Sequence, residues 1–115
     1  MNQKEMSSPY PKEFIDMLNR NLSDESRLLL YTLSLYEKPL NKEMLWKLAN
    51  EYYLEQTGKE KELLSSRYVL DIHTARCEGA GLIELSTHGR TRLYMMTSLG
   101  KEVLEHARTI SKKNS

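Results

Sequence analysis

The stretch that decides the fold reads Gly81-Leu82-Ile83-Glu84-Leu85-Ser86-Thr87-His88-Gly89-Arg90-Thr91-Arg92-Leu93-Tyr94-Met95-Met96-Thr97-Ser98-Leu99-Gly100 and runs on to Ile110. Leu82 to Leu85 and Leu93 to Met96 are apolar, strand-forming runs, and Ser86 to Thr91 between them form a short turn region centred on Gly89. Two strands so close in sequence pair as a hairpin. Strand alternation puts Ile83 and Leu85 on one face of the first strand, and Tyr94 and Met96 on one face of the second. Leu93 and Met95 then point the other way, so the hairpin is apolar on both sides. The second face needs cover from the terminal helix or a partner subunit. From Ser98 onward Leu99, Val103, Ala107 and Ile110 fall on one helical stripe.

Upstream of the hairpin the pattern is helical. Pro11 suits a first-turn position and opens a short helix carrying Phe14, Ile15 and Leu18, closed by Asn19 to Asn21. Ser23 is a good N-cap, and Asp24 and Glu25 suit the positive end of the helix dipole behind it. That second helix, to about Tyr36, carries Leu28, Leu29, Leu30, Tyr31, Leu33 and Leu35, apolar nearly all round as a buried central helix is. Pro39 stops it. Asn41 caps the next, where Leu45, Leu48, Ala49 and Tyr52 share a face and Thr57-Gly58 marks the end. After the polar bridge Lys59-Glu60-Lys61-Glu62 a fourth helix starts between Glu60 and Arg67, with Ser65 or Ser66 as its cap and Leu63-Leu64 either before it or within it. It ends before Gly79 or Gly81. The fold class expected is mainly α with a small β-hairpin (α+β), in the order α-α-α-α-β-β-α.

At 115 residues the chain is expected to form one domain over residues 10–112, with a flexible N-terminal arm at 1–9 and a terminal helix at about 98–111. The net charge of +1 hides an asymmetry: residues 86–115 hold six cations against two anions, while 10–55 hold eight acids against six bases. An acidic front and a basic back fit a negatively charged partner meeting one end of the molecule. There is no apolar run of about 18 residues, so no membrane span is expected. Met1 to Met6 do not read as a secretory signal, and the single cysteine, Cys77, fits a reducing cytoplasm. Catalysis finds no support, because there is no Gly-rich phosphate loop, no nucleophile elbow and no acid pair on an apolar face. The chain is therefore expected to be neither an enzyme nor a cofactor carrier. His73 and Cys77, four apart on one helix, have the spacing of two metal ligands, but a core histidine beside a small apolar cysteine is the commoner arrangement.

Gly81-Leu82-Ile83-Glu84 following a helix, and Tyr94 to Gly100 running into another, resemble the winged helix-turn-helix regulators of the MarR and PadR type. The layout is shared over roughly Ser23 to Ile110, with a longer Thr57–Glu62 connection and a recognition helix that is not basic. The resemblance implies a cytoplasmic regulator that binds double-stranded DNA, with a recognition helix in the major groove and a hairpin wing on the backbone.

In that layout Leu70, His73 or Thr74, and Cys77 face the core. Ser65, Ser66, Arg67, Tyr68, Asp71, Ile72 and Arg76 are then the recognition surface, the arginines for guanine edges or phosphates, Tyr68 and Ile72 for thymine methyls. The wing offers His88, Arg90 and Arg92, with no acid between Leu85 and Gly100. A homodimer is expected through the stripe Leu99, Val103, Ala107 and Ile110 together with Phe14 and Leu18; the alternative is that this helix folds back on its own domain. Trp46, Tyr52 and Tyr53 either line a small-molecule effector pocket or belong to the core. The rival function is a winged-helix module that docks a protein instead of DNA, favoured by the near-neutral charge.

Overall fold

Leu28, Leu29, Leu30 and Leu33 drive one helix to the middle of the molecule, because an apolar surface that wide must be covered on several sides. In the computed structural model of the protein, which describes residues 8–114, that helix is α2 (Asp24–Leu35). Around it stand α1 (Lys12–Arg20), α3 (Lys42–Thr57), α4 (Arg67–Gly79), β1 (Ile83–His88), β2 (Thr91–Met96) and α5 (Ser98–Asn114). The order is the one expected, and α2 packs against α3, α4, α5 and β2. Of the expected N-terminal arm, residues 1–7 lie outside the described residues.

The helix starts follow the capping chemistry. Ser23 Oγ accepts from the Ser26 amide at 3.0 Å, and Asn41 Oδ1 from the Met44 amide at 2.8 Å. Of the two serines offered for α4, Ser66 is the cap, its Oγ accepting from the Val69 amide at 3.2 Å. Leu63 and Leu64 therefore precede the helix, and Leu64 is fully buried from an irregular segment. Thr97 serves α5 in the same way, accepting from the Gly100 amide at 3.0 Å, while its own hydroxyl donates to the Gly81 carbonyl at 2.6 Å.

The strands run longer than the apolar runs predict. Ser86, Thr87 and His88 continue β1 and pair with Leu93, Arg92 and Thr91, which leaves Gly89-Arg90 as a two-residue turn. Gly89 sits at φ +64° in the first turn position, where a type II′ hairpin places its glycine. Ile83 and Tyr94 are buried on the inner face as the alternation requires, while Met95 on the outer face stays 37% exposed. One isolated bridge went unread in the sequence: Leu40 pairs with Tyr94 on the free edge of β2, its amide donating to the Tyr94 carbonyl at 3.0 Å and its carbonyl accepting from the Tyr94 amide at 2.7 Å. The hairpin is thereby fastened to the entry of α3.

The stripe on α5 folds back on its own domain, against α1 and α2. Val103, expected at a dimer interface, is fully buried within the chain and cannot reach a partner, which corrects that expectation. Leu99, Ala107 and Ile110 keep partial exposure.

Candidate nucleic-acid interface

The connection between α3 and α4, residues 58–66, has no regular structure, so side chains must fix where α4 begins. Asn50 and Trp46 do so from α3. Asn50 Nδ2 and Trp46 Nε1 both donate to the Leu64 carbonyl, at 3.0 and 2.8 Å, and Asn50 Oδ1 accepts from the Leu64 amide at 3.0 Å. Trp46 thus clamps a loop. Tyr52 and Tyr53 do line an open groove of about 460 Å³ between α2, α3 and α5.

On α4 the inward face is Leu70, His73, Thr74 and Cys77, all buried. His73 Nδ1 shares hydrogen bonds with Ser23 Oγ at 3.0 Å and Ser26 Oγ at 3.4 Å, which makes it a satisfied core histidine. Burial pushes the Cys77 thiol up from its ordinary pKa. Among the described residues no three His, Cys, Asp or Glu side chains gather as a metal site would need.

The outward face brings together the residues expected there from the helical spacing: Ser65, Ser66, Arg67, Tyr68, Asp71 and Arg76 are exposed and Ile72 half-buried. Tyr68 is 74% exposed, the most open of the large apolar side chains among the described residues. Arg67 is not free. It donates to Glu43 Oε2 and lies 3.6 Å from Asp71 Oδ1, and Lys42 Nζ donates to the same Asp71 oxygen at 2.7 Å. The Lys42 hydrogen bond, helped by the charges of Lys42 and Arg67, holds the Asp71 carboxyl below its usual range. Lys42 and Glu43 were missed in the sequence, where only their neighbour Asn41 stood out as a cap. Their partners lie 29 and 24 positions away, so no local pattern announces them.

The wing is the electrostatic opposite. His88, Arg90 and Arg92 are all exposed. Arg90 occupies the turn, Arg92 faces Thr87 on the side of Ile83 and Tyr94, and His88 pairs with Thr91 on the other side. Among the described residues no carboxylate lies within ion-pair distance of Arg90 or Arg92, so their charge is uncompensated.

No protein-family model matches the chain. It is 39% identical over 109 residues, 90% of each chain, to the DNA-binding protein TubR of Bacillus cereus. Its fold matches RosR of H. salinarum with a TM-score of 0.61 at 24% identity, over 81% of this chain and 78% of that one. It matches TubR from Bacillus megaterium with a TM-score of 0.60 at 16% identity, over 84% and 97%. At those identities the two structural likenesses speak to fold alone, and they share the winged-helix layout expected from the hairpin. The identity to the Bacillus cereus protein carries the family: the chain belongs to the family of the DNA-binding protein TubR.

Proposed function

We propose that the protein is a DNA-binding transcription regulator that reads double-stranded DNA by sequence, acting in the cytoplasm through a single winged-helix domain over residues 10–112. The observation that carries this reading is the pairing of an open α4 face, centred on Tyr68, with wing arginines that have no acidic partner among the described residues. Groove and backbone contacts need those two things side by side. In this reading α4 enters the major groove with Tyr68 and Ile72 toward base edges, and Arg90 and Arg92 hold the adjacent backbone. Kinship with a DNA-binding protein supports it.

The site is read by a homodimer. Phe14 and Met17 on α1 are 37% and 41% exposed, α1 packs along α5, and Ile110 on α5 keeps partial exposure. Two-fold symmetry gives half-sites about 10 base pairs, or a multiple, apart. Sedimentation equilibrium should return twice the 13.5 kDa chain mass, and Phe14→Glu with Met17→Glu should return the monomer.

The DNA reading is tested by anisotropy titration of a random duplex and of a duplex selected by the protein from a randomised pool. Arg90→Ala with Arg92→Ala should weaken binding to both by the same factor and flatten the log–log salt dependence by about 2, close to one unit for each phosphate that an arginine no longer neutralises. Binding unchanged by that double variant overturns the mechanism. The near-cancellation of charge on α4 favours a second reading, a winged helix that docks a protein, and the absence of any DNA binding at about 50 mM salt would select it.

A further inference from the structure

The four charges at the centre of the recognition surface are arranged so that each cation already has an acid. Lys42 and Glu43 stand in the first turn of α3, Arg67 and Asp71 in the first two turns of α4, and the pairs Lys42–Asp71, Arg67–Asp71 and Arg67–Glu43 join the helices into one chain of ion pairs. The network is exposed, with side-chain exposures from 25% for Lys42 to 64% for Glu43. Surface pairs of this kind contribute little to folding. On the DNA-binding reading above, the same charges lie where a duplex would rest.

A phosphate approaching α4 meets Glu43 and Asp71 as well as Lys42 and Arg67. To bind it, the cations must leave their carboxylates, and the carboxylates are then left facing a polyanion. On a duplex of the wrong sequence nothing compensates for that rearrangement. On the right sequence the base edges met by Tyr68, Ile72 and the freed Arg67 do.

We propose that Glu43 and Asp71 are specificity-determining residues that hold Lys42 and Arg67 off the phosphate backbone, so that α4 engages DNA only where base contacts accompany the backbone contacts. The wing, whose arginines have no acid within ion-pair distance among the described residues, supplies the sequence-independent attraction, and the α4 network withholds it. This division of labour rests on the DNA-binding reading above and deepens it.

The test measures affinity for a random duplex and for the selected duplex, each across salt, for the full chain and the variants Glu43→Gln and Asp71→Asn. Each variant should bind the random duplex about 3- to 10-fold more tightly, with a log–log salt slope steeper by about 1 for each cation released. The ratio of selected to random affinity should fall by a similar factor. Asp71→Glu, which keeps the charge, should retain most of the discrimination. Glu55→Gln removes an equal charge from an exposed position on α3 outside the network and should leave the ratio unchanged.

Several results overturn the inference. One is random-duplex affinity that does not rise in either variant. Another is a Glu55→Gln rise equal to that of Asp71→Asn, which makes the effect one of bulk charge. A third is loss of selected-duplex affinity in Asp71→Asn with random-duplex affinity unchanged, which makes Asp71 a direct base contact. If the unaltered chain binds neither duplex at about 50 mM salt, the DNA-binding reading itself falls, and that outcome is distinct from the other three.

Discussion

Asn50 and Leu64 hold each other by a reciprocal pair of hydrogen bonds, both 3.0 Å long, in the interior between α3 and the segment that leads into α4. Both residues are buried, so neither Leu64 backbone group has water as an alternative partner. Asn50→Ala leaves the Leu64 amide unpaired and its carbonyl with Trp46 alone. We expect a loss of about 2–3 kcal/mol, seen as a lower urea midpoint with an unchanged m-value. Because the pair also sets where α4 starts, affinity for the selected duplex should drop even at temperatures where the variant is folded. A variant as stable as the parent would show that the loop is held elsewhere.

Gly100 and Gly89 separate two reasons for glycine. A Cβ on Gly100 would fall on the Leu82 carbonyl oxygen and 2.7 Å from Met96 Cγ, because α5 starts pressed against the end of the hairpin. At Gly89 the space is open and the demand is the φ of +64°. Gly89→Ala should therefore cost about 1–2 kcal/mol, the left-handed penalty for one residue. Gly100→Ala should cost more, about 3 kcal/mol, since a backbone carbonyl cannot step aside as a side chain does. Thermal unfolding of the two variants decides it, and the reverse ranking would refute the close approach.

Local chemistry was readable and crossings were not. Ser23, Asn41 and Ser66 are caps because their hydroxyl and amide oxygens act within three residues, a range that sequence displays directly. The inward set on α4 followed from helical spacing alone. The length of the hairpin did not, since Ser86, Thr87 and His88 are polar and take strand geometry only by pairing with Leu93, Arg92 and Thr91. The Leu40–Tyr94 bridge and the Glu43–Arg67 contact each join residues far apart in sequence, and no periodicity encodes them. Val103 has the spacing of an interface residue, but the same stripe serves a helix that lies on its own core. Candidate surface residues were thus legible one by one, while their mutual neutralisation was not.

Cys77 should behave as an inert thiol. Its side chain is 1% exposed, and burial raises its pKa, so the reactive thiolate is scarce in the folded chain. Iodoacetamide should modify it rapidly in denaturant and in the native state only as fast as the domain opens. The sign of the pH effect follows. The unfolded chain loses this proton first, so the contribution to stability is full below the ordinary thiol pKa and is lost as pH rises from there toward the folded value. Cys77→Ala should remove that part of the alkaline decline in stability, while costing about 1 kcal/mol for the vacated volume. Rapid native labelling would contradict the buried placement.

Tyr68 gives the sharpest separation between folding and recognition. At 74% exposure it contributes little to the core, so Tyr68→Ala should leave stability within about 0.5 kcal/mol of the parent. A ring held out in this way has value only to a partner. If α4 reads base edges, the substitution should weaken the selected duplex by about 1–3 kcal/mol while leaving the random duplex and the salt slope nearly as they were. The wing variants should do the opposite, lowering both affinities together and flattening the slope. Equal loss on both duplexes from Tyr68→Ala would mean that the ring rests on the backbone and that sequence is read by other side chains. No change on either would leave α4 outside the contact altogether, because no other large apolar group on that face is as open to a groove.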